Sequence, residues 1–506
     1  MATFAAVDIG SNSVRLKIAR LARNGFTTVL EDREVTRLGS SVFRTGMLEP
    51  QAMEATIETL QRFHRAAQRH GAAAVRVVAT SAMREARNSQ AFEGWVQSAT
   101  GWKLEVITGL EEGRLIHLGV MAGTRTAQRV LLADLGGGSC ELTFSVGGHI
   151  QEMASLPLGA VRLTEEFLAH DPPKPKERQR LSAYIGEEIA RVEKRVLGRR
   201  VQATIATGGT AAALATLASK RARRAERGSP TATAGELRRI ADEIAGYDVA
   251  ARRGLAGVGL RRAEIIVAGA AVYAGLMVHG IRGIRYSPLG LRDGLLAQMA
   301  ADLGGARRIQ QRIQSQRERA LADHGRHYGV DARYARTVRD LAGDLFVALR
   351  KVHGLPAEYA EWLAAAAMLQ EVGSFVNRGG RDRHTYYLIA NSEIFGYTTE
   401  QRRIIAAIAR YVGKSRPAAD DRPMRELGGD DRERVPKAVM LLRLARALNQ
   451  SRNGVVRSVH VAVKRAQVTL RLSARRPGAD LELWAIEKEA EYFRTVFGRE
   501  LVATSP

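Results

Sequence analysis

The sequence predicts an α/β chain. It has a duplicated, two-lobed core, then a mainly α region, then a small α+β module at the C-terminus. Three observations predict this. A Gly-rich turn, Asp134-Leu-Gly-Gly-Gly-Ser-Cys-Glu141, stands between the apolar runs Val130–Ala133 and Leu142–Val146, which read as two strands. A second unit of the same design, Val7-Asp-Ile-Gly-Ser-Asn-Ser-Val-Arg-Leu16, opens the chain. From about residue 305, Gly and strand patterns give way to long amphipathic helices.

The turn at 134–141 is costly unless it has a purpose, because three glycines lose the most backbone freedom on folding. Close approach of a ligand to the backbone supplies one. Successive N–H groups in such a turn form a concavity for a phosphate oxygen. Asp134 and Glu141 suit a hard divalent cation, which takes carboxylate and phosphate oxygens together. Alone, the stretch reads equally well as a hairpin turn with two solvated acids. The second copy changes that: Asp8 aligns with Asp134, Gly10 with Gly136, Ser13 with Ser139 and Leu16 with Leu142. Each copy heads its own lobe, and two lobes can close on a phosphate chain from both sides. The duplicated Asp-x-Gly hairpin resembles the actin-like (ASKHA) fold of actin, hexokinase and Hsp70.

Composition bounds the rest. At 506 residues the chain is too long for one core. The excess of 77 basic over 53 acidic residues gives a formal charge of +24, which attracts polyanions. Cys140 is the only cysteine, so no internal disulfide forms. In the Gly-rich turn it reads as a small filler rather than a nucleophile. The N-terminus runs directly into a strand without a basic leader, and a cytoplasmic location is expected. The apolar run Ile265–Val278 is too short to span a bilayer and reads as a buried helix, so no membrane partner is expected.

The remaining core elements follow in order. Pro50 opens a helix with Met53, Ile57, Leu60 and Phe63 at helical spacing. Val75–Ala79 is a strand that runs into Thr80-Ser81 and a helix start, a natural anion site beside Arg84 and Arg87. Leu104–Ile107 is a strand, and Thr108 caps the next helix, whose first turn holds Glu111 and Glu112. A carboxylate there can orient and deprotonate an attacking water. Asp171–Lys176 is a Pro-rich surface linker. Ile205-Ala-Thr-Gly-Gly-Thr210 is strand, Gly turn and helix start. Lys220–Arg227 is a charge run, either a solvated loop or a track for a polyanion.

Six motifs occur in a fixed order: Asp8–Ser13, Val78–Asn88, Thr108–Arg114, Asp134–Glu141, Ser155–Arg162 and Thr207–Thr210. In this order they resemble the exopolyphosphatase/guanosine pentaphosphate phosphohydrolase (Ppx/GppA) family. The resemblance implies removal of a terminal phosphoryl group from inorganic polyphosphate, or, alternatively, hydrolysis of pppGpp to ppGpp. Carried over residue by residue, it makes Glu112 the catalytic base, with Glu111 as fallback. Asp134 and Glu141 become metal-associated acids, joined by Asp8, with Mg²⁺ or Mn²⁺ as the cofactor. Ser11, Asn12 and Ser13 form the first phosphate loop, Gly136, Gly137, Gly138 and Ser139 the second, and Gly208, Gly209 and Thr210 a third turn. Arg84 is expected to face the phosphate chain. A homodimer is expected.

The resemblance divides the chain into lobe I (1–125), lobe II (126–304), a degenerate HD-like helical domain (305–454) and a terminal α+β module (455–506). In the HD-like part, Gln370 and Glu371 stand where a His-Asp metal pair is expected, and Arg443, Arg446 and Asn449 where acids are expected. No metal and no second activity are expected there, and His384 reads as structural. Rival classes are an actin-like kinase or ATPase, against which the Glu112 motif argues, and a non-enzymatic polyphosphate or alarmone sensor, against which the intact core motifs argue. No nucleic-acid-binding motif accompanies the charge.

Overall fold

The computed structural model describes residues 2–22, 25–122, 128–222, 229–260, 262–303, 307–377, 379–474 and 478–505. Most of the charge run Lys220–Arg227 lies outside them. The chain divides into two compact units, residues 1–313 and 314–506.

The first unit contains two sheets. One has the order β3-β2-β1-β4-β5, from β1 (Thr3–Ile9), β2 (Val14–Ala22), β3 (Gly25–Glu34), β4 (Ala74–Ala79) and β5 (Leu104–Val106). The other has the order β10-β11-β9-β6-β7-β8, from β6 (Arg129–Leu135), β7 (Cys140–Val146), β8 (His149–Leu156), β9 (Ala203–Thr207), β10 (Thr231–Thr233) and β11 (Gly283–Tyr286). The duplication extends to topology. In each sheet the first strand pairs antiparallel with the next and parallel with a later one: β1 with β2 and β4, β6 with β7 and β9. Register places Asp8 opposite Arg15 and Asp134 opposite Glu141. The two hairpins therefore share geometry and differ in charge at one matched position.

Six helices position the site: α1 (Ser81–Glu85), α2 (Gly109–Ala122), α3 (Ala160–Phe167), α4 (Gly208–Arg221), α5 (Ile266–Leu276) and α6 (Leu291–Asp302). Helices α2 and α6 lie between the sheets. Their Leu115, Ile116, Leu295 and Leu296 share one apolar core with Phe4, Ala6 and Val78 of the first sheet and Val130, Leu132 and Ile205 of the second. The two helices cross closely: a Cβ on Gly294 would fall 1.9 Å from the Leu115 carbonyl oxygen. The apolar run after Ile265 forms α5, which is buried as expected. Among the described residues, no helix is long and apolar enough to cross a membrane.

The second unit packs helices 332–348, 359–369, 381–391, 399–410 and 429–447 around one apolar core. The strands β12 (Val456–Val463), β13 (Gln467–Ala474) and β14 (Glu500–Thr504) form the small terminal sheet and send Val468, Leu470 and Leu472 into the same core. At the HD-like positions, Gln370 is buried and donates to the Ala367 carbonyl at 3.1 Å, and Glu371 pairs with Arg452. Arg443 forks onto Glu489 at 2.7 and 2.6 Å, and Arg446 donates to the Val412 carbonyl at 2.6 Å.

Candidate active site

The two hairpin turns meet. A Cβ on Gly137 would stand 3.1 Å from Ser11 Cβ and 3.3 Å from the Asn12 nitrogen, so the second loop touches the first. Each loop is held by backbone donors. The Ser11 and Asn12 carbonyls accept from Gly39 (2.7 Å) and Arg37 (3.1 Å); the Gly136 and Gly137 carbonyls accept from Ala160 (3.0 Å) and Val161 (2.8 Å). A trans peptide directs its carbonyl and the following N–H to opposite sides. With these carbonyls held, the N–H groups of Asn12, Ser13, Gly137 and Gly138 are directed to the opposite side of their peptides, an arrangement that suits an anion, while those of Gly10 and Gly136 close the turns onto Ser13 and Ser139.

The sequence around Thr108 places a carboxylate beside that cradle. Thr108 Oγ1 accepts from the Glu111 N–H at 3.1 Å, which starts α2. The two glutamates are consecutive, so about 100° of helix rotation points them different ways. Glu111 turns away and takes Arg114 in a fork of two 2.8 Å bonds, with Gln298 bonded to the same guanidinium at 3.1 Å. Glu112 turns into the site and is 7% exposed. Its carboxylate lies with those of Asp134 and Glu141, one oxygen from each within 4.8 Å of the others.

Each acid has its own support. Arg84 donates to Glu112 at 3.2 Å and to the Ile107 carbonyl at 2.8 Å. Ser155 donates to Glu141 Oε1 at 2.9 Å, and the buried Glu141 Oε2 has no hydrogen-bond partner. Thr207 Oγ1 donates to Asp134. Burial raises the Glu112 carboxyl well above its usual range, and repulsion from Glu141 adds to this against the pull of Arg84. Glu141 is raised by burial and then by Asp134. Asp134 is raised by burial, opposed by Thr207. Asp8 is raised by burial, opposed by Arg15, Arg292 and Arg33. Burial also pushes the Cys140 thiol well up, which keeps it an un-ionised filler.

A cavity of about 460 Å³ joins these parts. Of the expected phosphate-binding residues, Ser11, Asn12, Ser13, Gly136, Gly137, Gly138, Ser139, Gly208 and Gly209 line it, as do Asp8, Glu112 and Asp134. Four expected residues sit differently. Glu141 belongs to the three-carboxylate group but is outside the lining. Arg84 is outside the lining and serves Glu112 and Ser139, because Ile107 and Glu112 claim its Nη1. Thr210 is outside it and buried against Gly269, whose Cβ position would be 2.7 Å from the Thr210 methyl. Asp8 lines the cavity but stands apart from the three-carboxylate group, within the field of Arg15.

The sequence reading missed Arg15, Arg33, Arg262 and Arg292, which also line the cavity. A signal for Arg15 was present: it aligns with Glu141 in the duplicated hairpin, the strand position opposite the aspartate. For Arg33, on the third strand, nothing local marks the role.

The donor set fits a hard divalent cation. Three carboxylates converge, their charges incompletely balanced, and one buried oxygen lacks a partner. Carboxylate oxygens without sulfur or imidazole suit magnesium or manganese.

Residues 17–303 match the Ppx/GppA phosphatase family, and residues 316–489 match Ppx/GppA phosphatase, domain III. Among solved structures, the Ppx/GppA family member of Aquifex aeolicus is 31% identical, with a TM-score of 0.50 over 58% of this chain and 96% of its own. An exopolyphosphatase-like protein is 28% identical, with a TM-score of 0.54 over 58% of this chain and 96% of its own. An exopolyphosphatase from Cytophaga hutchinsonii is 24% identical, with a TM-score of 0.55 over 59% and 97%, a likeness of fold. The duplicated core is actin-like, as expected, and is followed by the helical region and its small terminal sheet module.

Proposed function

The chain belongs to the Ppx/GppA phosphatase family, and we propose that it is an exopolyphosphatase, releasing orthophosphate from the end of inorganic polyphosphate. One observation carries the reading: Glu112 is a buried carboxylate with a raised pKa, set among two further acids beside two abutting phosphate loops. The Aquifex relative carries the family name and a second relative is described as exopolyphosphatase-like.

The loop N–H groups bind the terminal phosphoryl oxygens and hold them in line for attack. Glu112 accepts the proton of the attacking water, a role its raised pKa suits by making the carboxylate a stronger base. Arg84 keeps Glu112 oriented and favours its ionised form. Arg15, Arg33, Arg262 and Arg292 offset the charge of phosphates further along the chain. Asp134 and Glu141, beside Glu112, would hold Mg²⁺ or Mn²⁺, which, when bound, neutralises phosphate charge. Positioning and charge stabilisation do most of the work in such a reaction.

The second reading is pppGpp hydrolysis on the same site. Tyr286 favours it, since this residue lines the cavity near Arg262 and an aromatic side chain can stack on a base. Phosphate release from long-chain polyphosphate and from pppGpp, measured side by side with Mg²⁺, separates them. Faster release from polyphosphate supports the proposal; release from pppGpp alone moves the protein to the alarmone reaction; release from neither ends the hydrolase reading.

A further inference from the structure

The second phosphate loop is held at three consecutive carbonyls by one short segment. Gly136 accepts from Ala160, and Gly137 from the Val161 and Arg162 N–H groups. Gly138 differs: its carbonyl accepts from a side chain, Arg162 Nε, at 2.8 Å. The loop can approach the segment this closely because residue 159 is glycine, whose Cβ would otherwise fall 2.3 Å from the Gly137 oxygen. The cis peptide among the described residues is Asp171–Pro172, so the loop peptides are trans. None of residues 159–162 lines the cavity, whereas Gly136–Ser139 do. The N–H groups of Gly137, Gly138 and Ser139 therefore face away from α3, on the cavity side.

The Arg162 guanidinium is itself fixed. It pairs with Glu85 and reaches Ser81 Oγ at 3.4 Å, both on α1 of the first lobe, and it lies 4.1 Å over the Phe43 ring. Its side chain is 13% exposed. An arginine this near a phosphate cradle is ordinarily read as a phosphate ligand. Here its Nε is committed to the loop backbone and its Nη2 to the first lobe.

We infer that Arg162 is a positioning residue for the phosphate cradle: it fixes the Gly138–Ser139 peptide so that the Ser139 N–H is presented to the terminal phosphoryl group. The inference rests on the reading of this cavity as a phosphate site. The two flanking peptides are held by main chain and tolerate side-chain changes; the third depends on Arg162 alone among these contacts.

The test measures binding of inorganic tripolyphosphate by calorimetry in a Glu112→Gln background, so that the probe is not consumed. Arg162→Met keeps much of the stem and removes every donor. It is expected to melt as a folded protein and to bind tripolyphosphate about tenfold more weakly or worse, the range for a lost hydrogen bond to a charged group. In the wild-type background it lowers kcat as well as raising KM, because the presented N–H group serves the transition state. Glu85→Ala frees the far end of the guanidinium but leaves the Gly138 bond, and it is expected to bind tripolyphosphate as the parent does. If Arg162→Met fails to fold, Arg162→Gln, too short to reach Gly138, takes its place with the same two outcomes. Unchanged affinity in a folded Arg162 variant overturns the inference, as does a loss in Glu85→Ala equal to that in Arg162→Met. A parent that binds tripolyphosphate in an Arg162-dependent way but releases no phosphate would end the hydrolase reading and leave the inference standing.

Discussion

Arg84 Nη1 stands 3.2 Å from Glu112 Oε2, and it is the attractive charge among the groups that set the Glu112 carboxyl. Burial, Glu141, Asp134 and Asp8 all push that carboxyl up. Removing Arg84 therefore raises it further. The base works when ionised, so the acidic limb of the kcat/KM profile is expected to move to higher pH in Arg84→Met. An unmoved limb with lower activity would mean that Arg84 acts on the substrate rather than through Glu112.

The acidic group predicts how a divalent ion affects stability. Glu141 has a folded-state pKa above its ordinary value, so its contribution favours folding at low pH and is lost as pH rises through the folded value. Binding of a cation relieves this. Magnesium or manganese at a hundredfold excess over Kd is expected to add about 2.7 kcal/mol to unfolding free energy. Glu141→Gln is expected to be more stable than the parent at pH 8 without metal, and to gain less when metal is added. Equal gains in both proteins, read from denaturant midpoints, would place the ion elsewhere.

His117 predicts the opposite pH dependence. It is fully buried on α2, its ring nitrogens make no hydrogen bond, and its pKa is depressed to about 3 by burial and then by Arg312, Arg114 and His149. The unfolded chain takes up a proton near pH 6.5 that the folded chain refuses. Stability is thus full above about pH 6.5 and lost as pH falls toward 3. At pH 5 the loss amounts to about 2 kcal/mol for this one group. His117→Gln is expected to flatten that acid limb in denaturant titrations at pH 7.5 and pH 5; an unaltered limb would show that the ring is protonated in the fold.

Glu111 and Glu112 are adjacent in sequence and differ in surroundings: Glu111 holds Arg114, and Glu112 lies with Asp134 and Glu141. Arg114 is 1% exposed and is held by Glu111. Arg114→Met leaves a poorly paired acid in the interior and is expected to cost about 3–5 kcal/mol. Glu111→Gln is expected to lower the melting point while kcat of the folded enzyme stays within about a few-fold of the parent, since this side chain contributes no proton transfer. A collapse of kcat in Glu111→Gln without loss of stability would exchange the two assignments.

What could be read from the sequence was local. The hairpins announce themselves because a close-approach turn with acids beside it needs glycines and carboxylates at fixed short spacing, and Thr108 marks the helix start that brings Glu112 to the cavity. What the reading lacked depends on closure. Arg15, Arg33, Arg262 and Arg292 converge from four separate stretches, and only strand register and packing bring them to one cavity. Arg84 faces Glu112 because β4 and β5 run side by side, a pairing the Thr-Ser turn does not reveal. Thr210 looked like part of a Gly turn, yet helix periodicity turns it toward Gly269 and the core.

The central claim is that Glu112 activates the attacking water. The most direct test is the rate of orthophosphate release from long-chain polyphosphate with saturating Mg²⁺, for the parent and for Glu112→Gln, with tripolyphosphate affinity measured on both. The account predicts a fall in rate of about a hundredfold or more, the range for loss of a general base, with affinity retained. Release at the parental rate by a folded Glu112→Gln protein would contradict it.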